Sequence, residues 1–148
     1  MKEHGQFILG RTKQVVLFAG QGPWNNDALL RGTRELSQII KEVDKSQPWA
    51  QMSFIYGEGI MPPETYQYFA KQTKVRQKLG LSALAVVIQD SSVSALIRRQ
   101  QGEAYEQAHL DYAFFDNTEQ AIAWLAQRHF AIADSVLQTF FANCSFIK

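Results

Sequence analysis

The run LSALAVVI, residues 81–88, sets the strongest limit on what this chain can fold into. It follows Gly80, is interrupted only by Ser82, and shows neither the strict alternation of a half-exposed strand nor the polar face of a surface helix. A strand that is apolar on both faces must be covered on both faces, as an inner strand of a parallel sheet is by its helices. The rest of the chain has to supply neighbouring strands and covering helices.

It does so in alternation. Gln6 to Leu9 and Val15 to Ala19 flank the polar GRTK and read as a hairpin, and VVLF within the second repeats the pattern of an inner strand. Gly20, Gly22 and Pro23 end it; Asn25, Asn26 or Asp27 then offers a side-chain oxygen to cap a helix. In that helix Leu29, Leu30, Leu36, Ile39, Ile40 and Val43 recur at helical spacing, so one face should lie on a sheet. Asp44 to Pro48 reads as a loop, Ala50 to Tyr56 as a third strand, and Pro63 as the opening of a second helix, where its missing amide hydrogen has no partner to lose. Tyr66, Phe69, Ala70 and Thr73 form the inner stripe expected of that helix, and Gly80 ends it.

Beyond the central run, Val93, Leu96 and Ile97 mark a third, shorter helix that Gly102 ends or kinks. Tyr112 to Phe115 reads as a fifth strand, and DNTEQAIAWLAQ opens a fourth helix with a turn-and-cap cluster. The helical pattern continues from Ala131 to Ile147. The predicted fold is α/β: a mixed, mostly parallel sheet of four or five strands with flanking helices, in the order β-β-α-β-α-β-α-β-α plus a C-terminal helix. With 148 residues and no repeat or linker, this is one domain, its body in residues 1–130 and a helical extension in 131–148.

Charge and composition narrow the function. Fifteen Lys and Arg stand against fourteen Asp and Glu, a net +1, whereas phosphate neutralisation along a nucleic acid calls for a basic excess. No nucleic acid is expected as a partner. The apolar runs fall well short of the ~20 residues of a membrane span, and MKEHGQFILG lacks an apolar signal core, so a cytoplasmic place is expected. A lone Cys144 fits a reducing compartment and reads as a small core residue.

Taken together, GPWNNDAL after the second strand, MPPE at the second helix, GLSALAVVI and above all FFDNTEQAIAWL resemble the SpoIIAA-like family of the STAS-like superfamily, over roughly residues 5–130. The resemblance implies a sheet flanked by helices, no cofactor chemistry, and a non-enzymatic binding or regulatory module that acts through a protein partner. In the anti-sigma factor antagonists of that superfamily a Ser at the start of the second helix, after an Asp ending the third strand, is phosphorylated by the partner kinase. Here Gly57, Glu58, Gly59 and Ile60 occupy that stretch, so the switch has no obvious acceptor; Thr65 falls in the first helical turn instead. The carboxylate of Glu58 either imitates the phosphate or is simply solvated in a glycine turn.

Other candidate sites are fewer. FAGQGPWN places glycines between a strand and a helix as a dinucleotide fingerprint does, but Asn25 stands at the third glycine position and Pro23 removes an amide donor. His4, His109 and His129 have no partners at metal-ligand spacing, and no catalytic constellation emerges; no cofactor, metal or enzymatic activity is expected. Trp24, Tyr56, Ile60 and Met61 would converge at the carboxyl edge of a parallel sheet, either lining a pocket for a small apolar, lipid-like ligand or packing as core and rim. Phe140, Phe141 and Phe146 either close over the core or dock on a second copy, and a homodimer is the expected outcome.

Overall fold

The computed structural model describes residues 6–144 and residue 146. His4 and the end of the segment read as helix up to Ile147 lie outside the described residues. Five strands, β1 (Gln6–Thr12), β2 (Val15–Gln21), β3 (Trp49–Tyr56), β4 (Leu81–Gln89) and β5 (Asp111–Phe115), form one sheet in the order β1-β2-β3-β4-β5. The β1–β2 hairpin is antiparallel and every other pair is parallel, so the α/β expectation holds.

Strand order then decides where the helices go. Helices α1 (Asn26–Ile40), α2 (Pro63–Lys78) and α3 (Ser94–Gln107) each connect a strand to its next neighbour, always in the same direction across the sheet. Crossovers of one hand that step in one direction lie on one face. Helices α4 (Thr118–Gln127) and α5 (Asp134–Ala142) follow the last strand, are free of that constraint, and cover the opposite face. Both faces of β4 are thereby buried, as its sequence requires.

The pleat sorts the core into two layers. The register row Leu17, Met52, Ala85, Ala113 faces α4 and α5, where Ala121, Leu125, Leu137 and Phe140 pack on it. The rows Val16, Gln51, Leu84, Tyr112 and Phe18, Ser53, Val86, Phe114 face α1 to α3. Phe140 packs tilted against Phe54 and Phe141 meets it edge-on, with ring centroids 6.2 and 4.9 Å away, and Phe146 meets Tyr56 edge-on at 5.8 Å. These three rings pack over their own sheet, the first of the two placements expected for them.

Several local expectations change for physical reasons. Helix α3 runs through Gly102 to Gln107, because Gly102 packs directly under Tyr112 and Phe114 of β5 rather than ending the helix. Helix α1 turns Ala28, Gly32, Leu36 and Ile40 inward and leaves Leu30 44% exposed. Phe7 of β1 lies over Gly32, and only small residues fit beneath that ring. The carboxyl-terminal helix is also shorter than expected, since α5 begins at Asp134.

Candidate functional site

Between the sheet and α1 to α3 lies a cavity of about 70 Å³. Its floor is β3, where Gln51 and Ser53 are the polar members of a strand buried along its whole length. The two sit two residues apart and so share the face toward α1 to α3. Gln51 Nε2 donates to Ser53 Oγ at 2.9 Å, while Gln51 Oε1 is buried without a partner among the described residues.

The small inward stripe of α1 leaves room above that floor, with Ala28, Gly32 and Leu36 along one wall. Phe7, Phe18, Trp24, Met61 and Phe69 make the apolar part of the lining. Trp24 reaches its place because Gly20 has no side chain, a Cβ there falling 2.6 Å from the indole ring. At Gly22 a Cβ would lie 2.3 Å from the carbonyl oxygen of Glu58, so the glycines of FAGQGPWN serve close packing at the sheet edge.

The other wall is polar. Arg76 and Gln72 from α2 and Gln101 and Tyr105 from α3 complete the lining. The Tyr105 hydroxyl donates to Gln101 Oε1 at 3.1 Å, and burial holds its pKa far above the ordinary phenol value, so it stays protonated. Arg76 Nη2 donates to Thr73 Oγ1 at 3.2 Å, yet its Nε is buried with no acceptor among the described residues. Burial pulls the guanidinium pKa down, although an arginine remains charged.

The residues singled out in the sequence divide between this cavity and three other places. Trp24 and Met61 line it. Tyr56 is on the opposite face of β3 with the α4–α5 core, because its position has the parity of Met52 and Phe54 rather than of Gln51 and Ser53. Ile60 borders a shallow outer groove between the start of α2 and α3, beside Leu96, Arg99 and Glu103. Glu58 is exposed and accepts a hydrogen bond from Ser92 Oγ at 2.8 Å. Of the four residues expected to converge on a pocket, Trp24 and Met61 do and Tyr56 and Ile60 do not.

Gln51, Ser53, Arg76, Gln101 and Tyr105 are the residues that sequence reasoning missed. The signal for the first two was present: glutamine and serine two apart in a strand otherwise fit for burial on both faces. For Arg76 it was weaker, since Phe69, Thr73 and Arg76 are spaced as one helical stripe.

Among the described residues no group of three His, Cys, Asp or Glu side chains could hold a metal ion, and no helix is long and apolar enough to cross a membrane. No family model, no curated protein and no solved structure matches the chain.

Proposed function

We propose that this chain is a non-enzymatic carrier or sensor of a small ligand, bound in the cavity between β3 and helices α1 to α3. The observation that carries the reading is a partly open cavity lined by five aromatic rings, Phe7, Phe18, Trp24, Phe69 and Tyr105, and also by buried Gln51 and Ser53. A ligand pocket is typically an apolar cavity with a few polar groups that fix orientation. A core built for stability alone avoids an unpartnered buried oxygen such as Gln51 Oε1, which costs about 1–3 kcal/mol.

Size limits the ligand. About 70 Å³ is roughly half of a 150 Å³ cavity of the kind that takes up benzene, so a long lipid chain does not fit and a molecule of a few heavy atoms does. The SpoIIAA-like resemblance belongs to this proposal, supported by the order of strands and helices, as does a cytoplasmic place. A protein-partner module, the function that resemblance implies, has less to rest on. Thr65 is buried and donates to Asn26 Oδ1, out of reach of a kinase, and Phe140 and Phe141 are turned inward.

Native mass spectrometry on protein purified gently from its own cells, paired with NMR, tests the reading. The expected result is a retained small mass whose removal shifts the Trp24 indole and Met61 methyl signals. A bare chain, or one that carries a second protein and leaves those signals unmoved, would overturn it.

A further inference from the structure

The cavity also indicates what kind of ligand it takes. Arg11, Arg31, Arg98 and Arg128 each pair with a carboxylate near the surface, at Glu42, Glu35, Asp116 and Asp111. Arg76 has no carboxylate within salt-bridge distance among the described residues, although its Nε is buried at the cavity wall. A desolvated N–H without an acceptor is unfavourable, and the one neutral hydrogen bond that Arg76 Nη2 gives Thr73 offsets a small part of that. Its place in the last turn of α2 adds a weak attraction to the helix C-terminus, an effect that also leaves Nε without an acceptor.

The groups around Arg76 suit an anion. Gln51 Nε2 and Ser53 Oγ are joined by one hydrogen bond, and the Gln51 amide turned over would present its NH₂ to the cavity as a donor while its oxygen accepts the Ser53 hydroxyl hydrogen. Phe18, the register neighbour of Ser53, and Phe69, two helical turns before Arg76, supply apolar surface alongside. Among the described residues no acidic side chain lines the cavity to compete for the guanidinium.

We infer that the ligand is a short-chain carboxylate whose head is held by the Arg76 guanidinium, with the Gln51 amide as a further donor and its hydrocarbon part against Phe18 and Phe69. This inference rests on the cavity being the ligand site. A guanidinium and a carboxylate match in charge and in geometry, which a lone neutral amide or alcohol does not.

Calorimetric titration of the full chain with butyrate and with its neutral isostere butyramide is the test. Butyrate is expected to bind about tenfold or more tightly than butyramide, with Arg76→Met abolishing the difference. The same variant should melt at a higher temperature without ligand, since it removes a buried guanidinium N–H that has no acceptor. Equal binding of acid and amide to the wild-type chain would overturn the carboxylate inference and leave the small-ligand reading standing. Binding of neither at millimolar concentration would overturn both. The comparison of acid with amide on the wild-type chain needs no variant, so misfolding of Arg76→Met cannot obscure it.

Discussion

The side chain of Gln100 holds both backbone groups of Met61: its Oε1 accepts from Met61 N–H at 2.8 Å and its Nε2 donates to Met61 O at 2.8 Å. An amide side chain here does what a neighbouring strand would do, and it ties the segment between β3 and α2 to α3. Met61, 4% exposed, is thereby held against Trp24 at the apolar end of the cavity.

Replacing Gln100 by Ala should release that segment. The expected loss is about 1–3 kcal/mol, because two partly buried backbone groups lose their partner together. Hydrogen exchange checks it residue by residue: the Met61 amide should exchange much faster while β4 amides keep their protection. Uniform loss of protection would instead mean that Gln100 supports the whole fold.

Gly22→Ala should be far more damaging than an exposed glycine substitution. The added Cβ meets the backbone oxygen of Glu58 at 2.3 Å, and neither main chain can step aside, since Gly22 N–H also bonds Tyr56 O at 3.3 Å. Urea unfolding should show at least about 2 kcal/mol of destabilisation. A change under about 0.5 kcal/mol would show that the turn after β3 yields freely.

Glu58→Gln is expected to alter stability by no more than about 0.5 kcal/mol. The side chain is exposed, and glutamine keeps an oxygen to accept from Ser92. A large drop in melting temperature would give that carboxylate a structural role that its surroundings do not suggest.

Four tyrosines with raised pKa values, Tyr56, Tyr66, Tyr105 and Tyr112, make stability depend on alkaline pH. Burial pushes the Tyr56 hydroxyl up to about 12 from 10.0, and burial together with its hydrogen bond to Glu106 pushes Tyr112 up to about 12. A pKa raised in the folded state favours the protonated form there, so the stabilisation is complete below pH 10 and is lost as pH rises from 10 toward 12. Urea midpoints should hold steady up to pH 10 and then fall, with Tyr56→Phe falling less steeply. Full tyrosinate absorbance in the folded chain by about pH 10 would contradict this.

The chain's order of strands and helices was legible because it depends on local signals. The uninterrupted runs of β2 and β4, the Asn25 cap that accepts from Ala28 N at 2.9 Å, and the stop at Gly80 act within a few residues of themselves. Those signals also required helices on both faces of the sheet.

What the sequence could not determine was which side chains meet. Tyr56 and Met61 are close in sequence yet lie on opposite sides of the sheet, because the pleat sends Tyr56 toward α4 and α5 while the segment after β3 turns Met61 toward α1. Leu30 is exposed and Ala28 buried because Phe7, from a strand distant in sequence, lies over Gly32 and sets the rotation of α1. Arg76 reads as an ordinary surface arginine until α3 packs beside α2 and buries its Nε at a wall shared with Gln101 and Tyr105. Local periodicity fixes the elements; burial of a given group depends on long-range packing, which only the tertiary structure decides.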